Sequence, residues 1–227
     1  MRLDKFICKS TKLERAEAIR VIHGREVVVN DVVITNEASQ VHENNTVTLN
    51  GKKLIARSYR YILMHKPLNT VCSNVDEVYP CIFNYIDIDK ASDLHIAGRL
   101  DADTTGLILI TDDGRWSFNI ISPNRQCKKV YRVGLRDVIS DDVYLKFKNG
   151  VQLQGENKLT LPAKLNIVNP KEVLLTITEG RHHQVKRMFA AVGNRVVSLH
   201  REKIGKISLD IKVGQWRYLT IDEVNLK

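Results

Sequence analysis

No C-x-x-C pair occurs in this sequence, and its four cysteines, Cys8, Cys72, Cys81 and Cys127, stand far apart. Such scatter argues against a zinc site, and in a reducing compartment it leaves free thiols, so no metal is expected. Long apolar runs are also missing. Runs such as Leu107–Ile110 fall far short of the roughly 20 residues that span a bilayer. The opening stretch MRLDKFICKS carries Arg2, Asp4, Lys5 and Lys9 around too little apolar sequence to read as a secretory signal. Internal repeats, low-complexity tracts and a coiled-coil stripe are absent as well. Together these absences lead us to expect a cytoplasmic monomer with no membrane role.

What is present is a chain of 227 residues with 43% hydrophobic content, enough to bury one medium core or a small and a larger one. Its formal net charge of +9 points to an anionic partner, since surplus Lys and Arg speed encounters with phosphate backbones.

The first residues read as two short helices, with Leu3, Phe6 and Ile7 on one apolar face and Ala16, Ile19 and Ile22 on the next. Gly24 suits a left-handed helix end. Val27–Val29 and Val32–Ile34 then form a hairpin about Asn30-Asp31, and Thr46–Leu49 is a third strand ending at Asn50-Gly51. Lys52–Arg60 is polar and basic, as a linker would be, with 56–60 as the join between a domain over 1–55 and a second over 61–227. Lys9, Lys12, Arg15, Arg20 and Arg25 give the first part a basic stripe suited to phosphate contacts. In spacing and charge it resembles the RNA-binding domain named after the fourth small-subunit ribosomal protein, also called the alpha-L motif.

From Tyr61 the pattern turns to strands (Tyr61–Met64, Lys129–Leu135, Val173–Ile177, Val196–Leu199) interrupted by helical stretches at Ser140–Lys148 and His183–Val192. The whole is an α+β chain, its second domain a mixed, mainly antiparallel sheet with flanking helices.

Locally, His95–Leu100 reads as a strand, Asp101–Gly106 as a polar loop, Leu107–Thr111 as a buried strand and Asp112-Asp113-Gly114 as a tight turn. By these rules alone Asp101 is a turn residue, as are Asp103, Asp112 and Asp113. The string Gly98-Arg99-Leu100-Asp101, two positions, then Thr104-Thr105-Gly106-Leu107 changes that reading. With Lys129-Val130-Tyr131 and with Glu179–Met188 (EGRHHQVKRM) downstream, it resembles the active-site motifs of the pseudouridine synthase family.

The resemblance covers essentially the full chain. It implies an RNA isomerase that uses Asp101 as its catalytic carboxylate, with no cofactor, because the reaction needs neither redox change nor an outside atom. Asp101 serves as nucleophile on the ribose or as base at its 2′ carbon, and either role needs it ionised. Lys186 keeps it so, and Tyr131 supports the uracil face while its hydroxyl approaches ring carbon 5 during proton removal. Arg99 binds phosphate or fills the gap left by a flipped base. Arg181 and Arg187, with Arg195, Arg201, Lys203 and Lys206, are expected on the RNA-facing surface. His182 and His183 are adjacent and cannot share an ion as an i, i+4 pair would, so RNA contact or loop packing is expected.

Three segments, TTGL followed by TDDG, Gly150–Ala163 and Arg187–Gly205, look like the small-subunit enzymes of the family rather than those of 23S rRNA. That implies 16S rRNA at uridine 516, or a small-subunit assembly intermediate, as the partner. Two other readings compete: a non-catalytic RNA chaperone or ribosome-binding protein, and a glycoside hydrolase using Asp101 with Asp103.

Overall fold

The computed structural model describes residues 1–76 and 78–225. The chain divides into two units, Met1–Ser58 and Tyr59–Lys227.

In the first unit, helices α1 (Leu3–Ser10) and α2 (Arg15–His23) pack over the strands β1 (Val27–Val29), β2 (Val32–Val33), β3 (Val47–Leu49) and β4 (Lys52–Lys53), paired in the order β2-β1-β3-β4. Both turns are made by residues at positive φ, Asn30-Asp31 (47° and 65°) and Asn50-Gly51 (50° and 76°), the geometry that a tight hairpin requires. The second hairpin was not expected. Lys52 and Lys53 pair with Leu49 and Thr48 where the sequence suggested a linker, because a polar strand at a sheet edge carries no apolar alternation to betray it. The buried side of α2 is Ala18, Val21 and Ile22, whereas Ala16 is exposed and Ile19 half-buried. These three also fit i, i+3, i+4, so helical period alone left the phase open. The left-handed residue after α2 is Arg25 (φ 63°), not Gly24 (φ −70°).

The second unit is built on a nine-stranded sheet. Its strands are β5 (Tyr61–Lys66), β6 (His95–Ala97), β7 (Thr105–Thr111), β8 (Lys129–Leu135), β9 (Lys164–Asn169), β10 (Glu172–Ile177), β11 (Val196–Ile204), β12 (Ile207–Ser208) and β13 (Trp216–Tyr218). They run in the order β13-β5-β7-β11-β8-β10-β9, with β12 on β11 and β6 on β7. Among the described residues β7 and β11 are the one parallel pair of named strands, so the sheet is mixed and mainly antiparallel as expected.

Helices α4 (Asp142–Asn149) and α5 (Gln184–Ala191) pack Phe147 and Phe189 edge to face, 5.0 Å between centroids, over Ile62, Met64, Ile108 and Ile110. Leu63, Leu107 and Leu109 alternate with those residues and meet Trp116 and Ile120 of α3 (Gly114–Ile121) on the opposite face. β7 is therefore covered on both sides, which is why Leu107–Ile110 is continuously apolar rather than alternating.

Asp113 caps α3 by accepting from the backbone N–H groups of Arg115 and Trp116, and Asp112 accepts from Arg60 at 3.0 Å. Both are the structural residues that local rules suggested.

Near the carboxyl end, a short helix α6 (Ile221–Val224) is tied down by Arg217, whose guanidinium bonds Asp210 at 2.8 Å and Glu223 at 2.7 Å. The Arg217 hydrogen bond holds the Glu223 carboxyl down to about 2 from its ordinary 4.5. A depressed carboxyl stabilises the fold above its unfolded value and loses that contribution as pH falls through the folded one. Wild type is accordingly expected to exceed Glu223→Gln in stability at neutral pH, with the gap closing from about pH 4.5 towards pH 2. Urea unfolding across that range measures it, and a constant gap would remove the ion pair from the account.

Candidate active site

Asp101 lies in the loop from β6 to β7. β6 ends at Ala97, earlier than the sequence suggested, because Gly98 at φ 93° turns the chain out of the sheet. Three contacts then fix the loop: Thr104 N–H donates to the Asp101 carbonyl, Asn69 N–H donates to Ala102, and Lys66 reaches in from the end of β5. The Lys66 side chain is fully buried, and its Nζ donates to the carbonyls of Thr104 (2.8 Å), Pro67 (3.0 Å) and Ala102 (3.2 Å). Burial pushes its pKa below the usual lysine range, yet three carbonyl oxygens satisfy all three of its donors.

Replacing Lys66 with methionine keeps the volume but strands those carbonyls. A loss of about 2–3 kcal/mol in unfolding free energy is expected, with turnover falling because two of the carbonyls, those of Ala102 and Thr104, belong to the loop just after Asp101. An unchanged melting temperature would show that the loop holds itself.

The loop's register with β11 is set by a close approach. Gly106 of the TTGL string has φ 112°, and a Cβ there would come within 2.3 Å of the Arg201 carbonyl oxygen. No other residue fits.

Lys186 arrives from α5, which follows a tight turn at His183 (φ 49°). That turn is built by its own motif: Glu179 accepts from Gln184 Nε2 at 2.9 Å, and Gln184 Oε1 accepts from the Arg181 N–H at 2.8 Å. Lys186 Nζ bonds Asp101 Oδ2 at 3.0 Å and Asp103 Oδ1 at 2.6 Å. One ammonium thus serves two carboxylates. Burial acts to lower the Lys186 pKa, but its bonds to Asp103 and Asp101 carry it above the usual value. Asp103 is pushed up by burial and more than offset by Lys186, ending below the usual carboxylate range. A glycoside hydrolase pair needs one carboxyl held protonated, so Asp103 is unsuited to that reading. His183 Nε2 lies 3.5 Å from the other Asp101 oxygen, its ring stacked on His182 at 3.7 Å.

Asp101, Lys186, His182 and His183 line a cleft of about 740 Å³, as do Arg99, Lys129, Tyr131 and Arg201. That volume falls in the range of small-molecule sites. Arg99 is exposed there. Tyr131 is buried in β8, and its hydroxyl accepts from Arg201 Nη1 at 3.2 Å. Lys129, two residues earlier, is also buried and donates to the Ile120 carbonyl near the end of α3.

The basic residues of the carboxyl half divide differently from expectation. Arg181 spends its donors on Glu156, Glu179 and the carbonyls of Lys158 and Leu159, and Arg187 on Glu156 and the carbonyls of Gln154 and His182. Arg201 is 2% exposed, inside the sheet rather than on an RNA-facing surface. Arg195 and Lys206 are exposed, and Lys203 is half-buried. In the first unit Lys12, Arg15, Arg20 and Arg25 are exposed and Lys9 is half-buried, while Arg15 also lies 3.3 Å from the buried carboxylate of Asp4. Asp103, Lys66, His183 and Arg201 are the site residues that sequence reasoning missed or misplaced. No signal short of the tertiary contacts marks them.

A carboxylate bonded to a lysine in the wall of a cleft, in a chain that also carries a small basic unit, suits an enzyme with an anionic substrate. The chain belongs to the RNA pseudouridylate synthase family, whose model matches residues 60–191, and the S4 domain model matches residues 1–47. It is 49% identical over 226 residues to the ribosomal small subunit pseudouridine synthase A of Vibrio cholerae, covering 99% of this chain and 98% of that one. The Escherichia coli protein of the same name is 47% identical over 227 residues, again covering 99% and 98%. A solved structure described as a pseudouridylate synthase superposes with a TM-score of 0.72 at 42% identity, over 99% and 98% of the two chains. The protein is thus an RNA pseudouridine synthase with an amino-terminal RNA-binding domain. Among the described residues no helix is long and apolar enough to cross a membrane.

Proposed function

We propose that this enzyme converts one uridine of 16S rRNA to pseudouridine during maturation of the small subunit, at the position 516 that its sequence resemblance implies. It works as a cytoplasmic monomer on the RNA or on an assembly intermediate. Two relatives at 49% and 47% identity carry the small-subunit name, which supports this target over 23S rRNA.

Asp101 carries the chemistry, and the observation behind this reading is its 3.0 Å bond to Lys186 in the cleft wall. The target uridine is flipped out of its stack, since a carboxylate cannot reach a ribose inside one. Ionised Asp101 either attacks the anomeric carbon or removes the proton from the 2′ carbon, and the bond to ring nitrogen 1 breaks. The freed uracil turns against the Tyr131 ring, and ring carbon 5 joins the ribose as the Asp101 ester leaves or, in the glycal route, as the proton returns to the 2′ carbon. The hydrogen on ring carbon 5 is then lost as a proton and ring nitrogen 1 takes one up, which completes the isomerisation. Arg99, exposed at the cleft, contacts the backbone or the vacated stack, and Lys9, Lys12, Arg15, Arg20 and Arg25 hold RNA through phosphates.

The test uses RNA tritiated at uracil carbon 5. One equivalent of label per molecule should be released from 16S rRNA, or from its assembly intermediate, and none from 23S rRNA. Release from 23S rRNA alone would refute the target, and no release from any substrate would refute the activity.

A further inference from the structure

Arg201 touches the segments that carry Asp101 and Tyr131. Its Nε donates to the Leu107 carbonyl at 2.7 Å, its Nη2 to the Gly98 carbonyl at 2.7 Å and its Nη1 to the Tyr131 hydroxyl at 3.2 Å. Gly98 and Leu107 are the two ends of the string that contains Asp101. The Arg201 backbone is held in the same way, paired antiparallel with Tyr131 on one side and parallel with Gly106 on the other. Its side chain is buried, and among the described residues it has no carboxylate partner. A charged group kept in such a place demands a reason beyond packing.

A guanidinium has five donors and no acceptor. At its contact with Tyr131 the phenol oxygen must therefore accept, so the phenol's own hydrogen is turned away from Arg201. Among the described residues nothing accepts that hydrogen, and Tyr131 lines the cleft. We propose that Arg201 is a positioning residue that fixes the Tyr131 hydroxyl as a hydrogen-bond donor into the cleft, aimed at a carbonyl oxygen of the uracil. The proposal rests on the reading of this cleft as the uridine site.

The donor has work at the first chemical step. When the bond between the ribose and ring nitrogen 1 breaks, its electron pair moves onto the uracil and is shared with the ring carbonyl oxygens. A fixed O–H at one of them stabilises that charge without having to reorient. In the resting site the hydroxyl is thus a donor, and it is not set up as the base for ring carbon 5. Lysine cannot replace Arg201 in this task, since a point ammonium lacks the planar fork that reaches two carbonyls and a phenol together.

A double-variant cycle tests the link by single-turnover rate and RNA affinity. Tyr131→Phe is expected to slow isomerisation roughly 10²–10³-fold, the loss of one aimed donor. Arg201→Lys should be slowed substantially with RNA affinity retained, and the double variant should match Tyr131→Phe within about twofold. Losses that multiply overturn the proposal. So does an Arg201→Lys chain that fails to fold or loses RNA affinity together with rate, because Arg201 is then a structural residue.

A second arm leaves Arg201 in place and weakens the acceptor instead, with 2-thiouridine or 4-thiouridine at the target. One of the two should slow wild type by about tenfold or more and leave Tyr131→Phe nearly unaffected. Equal slowing of both enzymes, or none, removes the donor role. Full activity of Tyr131→Phe on ordinary RNA would likewise remove the donor role while leaving the uridine cleft intact, since Phe keeps the ring. Full activity of Asp101→Asn is the distinct outcome that would undo the reading of the cleft.

Discussion

Asp101→Asn is expected to abolish isomerisation, with a fall of roughly 10⁴-fold or more in tritium release, while RNA affinity and melting temperature stay near wild type. The substitution keeps the shape of the side chain and removes its charge. An amide can neither attack the ribose nor take a proton from it, so both routes stop at their first step. The scaffold has reason to survive. Lys186 retains its 2.6 Å bond to Asp103, so α5 keeps an anchor on the loop, and the three carbonyls held by Lys66 do not involve the Asp101 side chain. Filter binding and a thermal melt check those two points. Retention of even one-tenth of wild-type release would remove Asp101 from the chemistry.

For Lys186→Met the expected loss is roughly 10²–10³-fold in turnover, with a shift in pH dependence as its signature. Without the ammonium, Asp101 and Asp103 face each other as like charges, and like charges raise the pKa of at least one member. Activity that needs an ionised carboxylate should then set in at higher pH than in wild type. Stability should follow the same logic. Asp103 is held below the usual carboxylate range in the folded protein, so its contribution is present above that range and lost as pH falls through the lower value. The advantage of wild type over Lys186→Met is thus expected at neutral pH and should shrink in acid. A variant whose rate falls with no displacement of its acid limb would mean that Lys186 holds the loop but not the charge.

Sequence reading went furthest where the physics is local. The hairpin turn at Asn30-Asp31, the cap at Asp113 and the buried run in β7 follow from backbone preference and periodicity, whereas the polar edge strand Lys52-Lys53 carries no such pattern. Asp101 and Lys186 are 85 positions apart, and only their motifs hinted that they meet. The basic residues were the hardest to place. Lys66, Arg181, Arg187 and Arg201 look like any other cations in sequence, yet their partners are carbonyls and carboxylates brought in by distant segments. Glu156, which holds both Arg181 and Arg187, is 25 and 31 positions away from them. Surplus charge predicts a polyanionic partner for the whole chain but cannot say which individual cations face it.

The two carboxylates of Asp101 and Asp103 are matched by two ammonium groups, Lys186 bonded to both and Lys66 buried behind the same loop. That corner is therefore balanced in charge, while the lining of the cleft also carries Arg99, Lys129 and Arg201, in a chain whose total is +9. A polyanion drawn in by the global field meets no opposing charge at the reacting carboxylate, because the carboxylate arrives already neutralised by its own scaffold.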